Sequence, residues 1–202
     1  MKKIIKDTLA LALITIVAGI LLGAVYMITK EPIAKQNEKI KIAAYNSVFD
    51  ELDTYEENTD IANLSKVLKE KGFNGVELNE VVYAFDKEGK ELGMIITVTD
   101  KEGYGGNIKM TVGIDMEGTI TGLEILEISE TAGLGMKATD KSFREQYVGI
   151  NADEVVYTKS GKTEANEIDA ISSATITTKA VTDGVNGAIT IYKELVGGSD
   201  NE

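Results

Sequence analysis

Hydrophobic positions follow three different patterns along the chain. An unbroken apolar run extends from Thr8 to Ile28. Apolar residues then recur at helical spacing, and from Val76 onward they alternate with polar residues, as in half-buried strands. The patterns predict a membrane-spanning helix followed by an α+β domain.

The apolar run is long enough to cross a bilayer. It would extend about 31 Å as a helix at about 1.5 Å per residue, which matches a hydrocarbon core about 30 Å thick. A cleaved signal peptide is the alternative, but its apolar part is usually about 7–15 residues long. No A-x-A cleavage site follows the apolar run before Lys30. We therefore predict an uncleaved transmembrane helix over 8–29, preceded by a cytoplasmic tail over 1–7.

Two helices are expected next, in a juxtamembrane segment over 30–74. Pro32 fits the first turn of a helix, and the spacing of apolar residues extends that helix over 32–50. A shorter helix is predicted over Ala62–Lys71. The acidic stretch 51–60 between them is predicted to be a turn.

A sheet and a final helix complete the predicted domain, which covers 75–197 and leaves 198–202 as a tail. Alternation and turn residues predict two hairpins, with strands over Val76–Phe85, Glu91–Thr99, Ile108–Ile114 and Thr119–Ile128. A short helix over 140–148 and a long amphipathic helix from near Ile176 follow. The fold class is therefore α+β, an antiparallel sheet with flanking helices preceded by one transmembrane helix.

Composition and charge exclude several kinds of functional site. The net charge is −12, from 21 basic and 33 acidic residues. Residues 1–7 carry +2, which favours a cytoplasmic N-terminus and an acidic body on the extracytoplasmic side. The acidic body excludes a nucleic-acid groove. Cysteine and histidine are absent, which excludes thiolate and histidine metal sites and a Ser-His-Asp triad. We predict no metal site, so electron transfer would need an organic cofactor.

A cluster of hydroxyl side chains precedes the last helix. It comprises Ser172, Ser173, Thr175, Thr177 and Thr178. Serine and threonine are common helix N-caps. The start of a helix also offers unpaired N–H donors and a partial positive charge to a phosphate, to which Lys179 could add a cation. From these residues alone a helix cap and a phosphate site both remain possible.

The segment Asp169–Thr175 resembles the flavinylation motif of FMN-binding domains, in which aspartate precedes a Ser/Thr-Gly-Ala-Thr tetrad. Ser172, Ala174 and Thr175 match the tetrad, while Ser173 replaces its glycine. The resemblance implies that a flavin transferase esterifies the Thr175 hydroxyl to the phosphate of FMN. It implies a cofactor site that includes Ser172, Ser173, Ala174 and Thr178.

A second segment resembles the same family. Residues 130–135 match the family's Glu-Thr-Pro-Gly-Leu-Gly, with Ala132 in place of proline. Gly103–Gly106 and Val112–Asp115 match a third recurrent pattern. The resemblance implies that the flavin ring lies over glycine backbone, with Gly105 and Gly106 close by. The cofactor-binding residues that it implies here are Glu130, Thr131, Gly133, Leu134 and Gly135.

With its N-terminal anchor, the whole chain is similar to G subunits of Rnf-type ion-translocating electron-transfer complexes. The C subunits of sodium-translocating NADH:quinone reductases are related to these. The resemblance implies a membrane-anchored subunit that carries covalent FMN, in an oxidoreductase that couples electron transfer between ferredoxin and NAD to Na⁺ or H⁺ movement. Expected partners are the other subunits, the bilayer and, during maturation, a flavin transferase. The alternatives are a non-catalytic assembly module and a stand-alone extracellular FMN carrier.

Overall fold

The structure is a computed structural model that describes residues 2–198. Met1 and residues 199–202 of the predicted tail lie outside the described residues. The chain divides into one unit that ends at Ile42 and a compact unit that begins at Ala43. In chain order the regular elements are α1 (Lys2–Val48), β1 (Thr54–Glu57), α2 (Ile61–Glu70), β2 (Val76–Phe85), β3 (Glu91–Asp100), β4 (Ile108–Asp115), β5 (Ile120–Glu127), a 3₁₀ helix (Gly135–Thr139), α3 (Lys141–Arg144), β6 (Val156–Thr158), β7 (Glu167–Asp169) and α4 (Thr175–Gly198).

The first unit is helical. Its helix is long and apolar enough to cross a membrane by length and composition, and its apolar side chains, such as Leu22, are exposed. The prediction that Pro32 begins a new helix is wrong, because Pro32 lies inside α1. A proline removes one backbone donor, here the partner of the Ile28 carbonyl. Strong helix formers on both sides allow the helix to continue past that single loss.

The compact unit is built on an antiparallel sheet in the order β1-β2-β3-β4-β5, which confirms the predicted α+β class. The two hairpins are confirmed, with strand bounds within one residue of those predicted. The prediction of a turn over 51–60 is wrong, because β1 pairs with β2 there. Its sequence TYEE is largely exposed at the sheet edge, so it lacks the apolar alternation that marks a half-buried strand.

One face of the sheet packs against α4 and α2. Val181, Val185 and Ile189 of α4 belong to the main core, as the predicted amphipathic face requires. Gly184 lets α4 approach β4 closely, because a β-carbon there would lie 2.7 Å from the Met110 side chain. The middle of α4 therefore packs closely against the sheet.

The other face of the sheet is covered by the last residues of α1 and by Phe49, which follows it. Tyr45, Val48 and Phe49 form a second apolar cluster with residues of β2 and β3. Val48 lies over the paired glycines Gly113 and Gly122, where a β-carbon on either would come within 2.8 Å of it. Residues 43–74, which we expected to precede the domain, thus pack within the compact unit.

The connection between β5 and α4 contains short elements. The helix predicted over 140–148 is limited to Lys141–Arg144, because the following residues form turns such as Tyr147 N to Arg144 O. Phe143 and Tyr147 are nevertheless buried. The parallel pair β6-β7 was not predicted, since three-residue strands are too short to show a period.

Candidate functional site

A cavity of about 480 Å³ lies at the N-terminal end of α4. Its volume falls in the range of roughly 300–1,000 Å³ that is typical of cofactor sites. Three segments form it, namely the β3–β4 loop, the segment after β5 and the start of α4. The lining residues are Tyr104, Glu130, Thr131, Leu134, Gly135, Ser173, Ala174, Thr175, Ile176 and Thr177.

The cavity brings together most of the residues that sequence resemblance singled out. The resemblance implied ten cofactor-binding residues in the segments 130–135 and 172–178. Seven of these ten line the cavity, and Ser172, Gly133 and Thr178 do not. Ser172 is exposed, whereas Thr178 is fully buried. Sequence reasoning did not assign Tyr104 and Ile176 to the site, and it named Thr177 only as a member of the hydroxyl cluster.

The start of α4 presents three unpaired backbone donors. Thr178 N donates to Ala174 O over 3.0 Å, which makes Ala174 the N-cap residue. Alanine has no side chain that could cap the helix. In the part of the chain that the structure describes, the N–H groups of Thr175, Ile176 and Thr177 have no acceptor. This end of α4 therefore offers donors and a partial positive charge to an anion.

A tight turn leads into that helix end. Ala174 N donates to Ile171 O over 3.0 Å, and Ser173, in the third position of this turn, has φ +64°. Ser173 is the one non-glycine residue with positive φ among residues 2–198. A side chain in this left-handed conformation costs about 1–2 kcal/mol. Glycine, which has no side chain, would adopt this conformation without that cost.

A second turn of the same kind borders the cavity. Leu134 N donates to Thr131 O over 3.1 Å, and Gly133 in the third position has φ +77°. Type II turns require such a residue and favour proline in the second position, which Ala132 occupies here. A β-carbon on Gly133 would meet no atom within 4 Å. The backbone conformation, rather than lack of space, therefore demands this glycine.

Glu130 ties the β3–β4 loop to the cavity wall. Its Oε1 accepts a hydrogen bond from Gly105 N over 3.2 Å. A β-carbon on Gly105 would lie 2.0 Å from the Ser129 carbonyl oxygen. Neither Gly105 nor Gly106 lines the cavity, and Gly105 packs against the protein's own backbone. The expectation that these two glycines make room for a flavin ring stays a prediction.

Lys179 does not provide a cation to the cavity. Its Nζ contacts Asp183 Oδ2 at 2.5 Å and Glu102 Oε2 at 3.1 Å, and these bonds raise the pKa of the Lys179 ammonium. Near this cluster Asp100 is buried, and its Oδ2 has no hydrogen-bond partner within residues 2–198. Burial raises the pKa of the Asp100 carboxyl to about 6, with the nearby Asp183 and Glu102 charges adding to the effect.

Comparisons with known proteins agree with these features. Residues 103–190 match the family profile described as FMN-binding domain, and residues 1–48 match the one described as RnfG N-terminal region. The chain is 32% identical over 196 residues to the G subunit of the Na⁺-translocating ferredoxin:NAD⁺ oxidoreductase complex of Acetobacterium woodii, covering 96% of this chain and 94% of that one. Its identity to the G subunit of the proton-translocating ferredoxin:NAD⁺ oxidoreductase complex of Clostridium ljungdahlii is 30%, covering 90% and 88%.

A solved structure shows the same fold. The crystal structure of the C subunit of the Na⁺-translocating NADH-quinone reductase from Parabacteroides distasonis superposes with a TM-score of 0.58. The alignment has 19% sequence identity and covers 81% of this chain and 95% of that one.

Proposed function

Because the chain belongs to the family of G subunits of ion-translocating ferredoxin:NAD⁺ oxidoreductase complexes, we propose that it carries FMN covalently on Thr175 and passes electrons within such a complex. The single observation that carries this proposal is the position of Thr175. It is the first residue of α4 and lines the cavity beside three unpaired N–H groups.

The residues around the cavity fit the two chemically different ends of FMN. An FMN phosphate esterified to Thr175 keeps a negative charge, which the N–H donors and dipole of α4 would stabilise. Tyr104, Leu134 and Ile176 expose apolar surface, with exposed fractions of 70%, 40% and 51%. They would cover the isoalloxazine ring, and Glu130 would hold the Gly105 loop beside it. When bound, the flavin supplies the electron-carrying chemistry, while the protein positions it.

A covalent bond has a physical advantage on the extracytoplasmic side, where we place this domain. A reversibly bound cofactor is retained only while its free concentration exceeds its dissociation constant. In the proposed transfer from FAD, Thr175 Oγ bonds to the FMN phosphorus and the phosphorus bond to the bridging oxygen breaks. AMP leaves with that oxygen, and the hydroxyl proton passes to a base of the flavin transferase.

We place residues 8–29 of α1 in the cell membrane, with the N-terminus of the chain in the cytoplasm. Residues 8–29 carry no ionisable side chain that titrates near neutral pH, so an ion path must be formed by other subunits. The names of the two relatives differ in the ion, sodium for one and protons for the other. Coupling to either ion, and binding to the other subunits, are part of the proposal.

Mass spectrometry of the full chain, co-expressed with a flavin transferase and supplied with FAD, tests the attachment. We expect an added mass of FMN less one water that maps to Thr175. Thr175→Ala should carry none and change stability by less than about 1 kcal/mol, because Thr175 is not the N-cap and alanine favours a helix. Thr175→Ser keeps the hydroxyl and should be modified. An unmodified wild-type chain, with the transferase active on a control substrate, would instead support the non-catalytic assembly module.

A further inference from the structure

The hydroxyl of Thr178 makes two hydrogen bonds that involve the turn before Thr175. Thr178 Oγ1 accepts from Ile171 N over 3.0 Å. The same hydroxyl donates to Ala174 O over 3.0 Å. Thr178 is fully buried. The first and last residues of the turn are thus joined to one side chain from the first turn of α4.

These bonds form a closed network. Ala174 N donates to Ile171 O across the turn, and Thr178 N donates to Ala174 O at the start of the helix. A threonine that donates to the carbonyl four residues earlier is common in helices. Acceptance from an amide seven residues earlier, outside the helix, is the unusual part. It satisfies the N–H of Ile171, which is buried and would be costly to leave unpaired.

This hydrogen-bond network positions Thr175, the residue that follows the turn. Ser173, in the left-handed conformation, lies within the turn, and Thr175 comes directly after Ala174. Without the hydroxyl of Thr178, only the Ala174 N to Ile171 O bond would hold the turn closed. The left-handed conformation of Ser173 is strained and favours opening of the turn. The direction of the Thr175 side chain therefore depends on the two hydrogen bonds of Thr178 Oγ1, which we call the clamp.

We propose that Thr178 is a positioning residue for flavin attachment, which holds the turn over 171–174 so that the Thr175 hydroxyl is presented to the flavin transferase. It acts through the backbone and not by contact with FMN, since it does not line the cavity. This inference rests on the proposed attachment at Thr175. A reacting group displaced by about 1 Å can lose about 100-fold in rate, so we expect loss of these hydrogen bonds to lower the rate of modification even in a chain that remains folded.

The test uses the purified, unmodified full chain in detergent, to which a flavin transferase and FAD are added. Intact-mass spectrometry then gives the initial rate of FMN attachment. Thr178→Val has nearly the same shape but no hydroxyl, and Thr178→Ser restores the hydroxyl. The matched control is Thr182→Val, one helical turn further on. Thr182 is also buried and donates to the Thr178 carbonyl, with Tyr147 OH as its other partner.

We expect Thr178→Val to lower the rate at least about tenfold at a temperature where the chain is folded, with Thr178→Ser and Thr182→Val within about threefold of wild type. A wild-type rate in folded Thr178→Val would overturn the proposal, as would an equal loss in Thr182→Val. If Thr178→Val does not fold, amide hydrogen exchange of the wild-type chain tests whether the hydrogen bond from Ile171 N to Thr178 Oγ1 is stable. Slow exchange at Ile171 supports the clamp, and fast exchange contradicts it. A wild-type chain that is not modified at Thr175 would instead reject the proposed function.

Discussion

Glu130 Oε2 and Thr177 Oγ1 each lie 2.6 Å from the point that a β-carbon on Gly135 would occupy. The two side chains come from different walls of the cavity, and they leave room at Gly135 for a hydrogen atom only. Glu130 also holds Gly105, so that a change at Gly135 would disturb both walls and the β3–β4 loop at once.

We therefore expect Gly135→Ala to destabilise the chain by about 1–3 kcal/mol, as overpacking typically does. It should also lower flavin content. Gly197→Ala is the matched control, because a β-carbon there meets no atom within 4 Å and alanine favours a helix. Urea unfolding of the two variants in detergent gives the comparison. Equal stability would show that Glu130 and Thr177 can move away at no cost.

The left-handed backbone conformation of Ser173 predicts how the stabilities of variants at this position are ordered. Ser173→Gly should be neutral or stabilising by up to about 1 kcal/mol, because relief of strain offsets the greater freedom of glycine in the unfolded chain. Ser173→Val should lose at least about 1 kcal/mol, since a branched side chain suits this conformation least. Ser172→Val is the control, as Ser172 is exposed and its φ is not positive. Thermal unfolding checks the order, and similar losses in both valine variants would contradict it.

Burial of Asp100 predicts a decrease in stability as pH rises. The pKa of its carboxyl is raised to about 6 in the folded chain, above the value of about 3.9 expected when unfolded. The folded state therefore binds the proton more tightly, and this group's contribution falls between about pH 4 and pH 6 and stays low above that range. Asp100→Asn has no such charge and should be more stable at pH 7 by an amount on the order of 1–3 kcal/mol.

The measurement is the difference in unfolding free energy between Asp100→Asn and wild type from pH 4 to pH 8. Taking the difference cancels the contributions of other carboxyls, such as Glu77 and Glu167, whose pKa values are lowered by their hydrogen bonds. The advantage of the asparagine variant should grow with pH. A difference that is independent of pH would show that Asp100 titrates normally.

Periodicity predicted the elements that have one polar and one apolar face. The four hairpin strands and the face of α4 that carries Val181 and Val185 follow from it. It failed where burial is uneven or the element is short. The edge strand β1 has one half-buried side chain, Tyr55, among three exposed ones, and β6 and β7 have three residues each. The prediction that a new helix begins at Pro32 failed because a proline removes only one hydrogen bond, and a long helix can tolerate that loss.

The candidate site was only partly accessible to sequence reasoning. Resemblance to the motifs of FMN-binding domains pointed to Thr175 and to Glu130, and both line one cavity. It could not tell that Lys179 pairs with Asp183 and Glu102, because a pattern gives no side-chain direction. Nor could it separate Thr178, whose hydroxyl turns inward to Ile171, from the hydroxyls that face the cavity.

The packing of α4 also sets an order of events during synthesis. Val181, Val185 and Ile189 of this helix fill the core against strands that are made much earlier, and domains generally fold as units. The first turn of the same helix forms the cavity wall at Thr175. Thr175 therefore acquires its final surroundings only after these core residues of α4 have been synthesised and packed. If a flavin transferase modifies Thr175 as proposed and recognises this shape, we expect it to act on the folded domain and not on nascent chains.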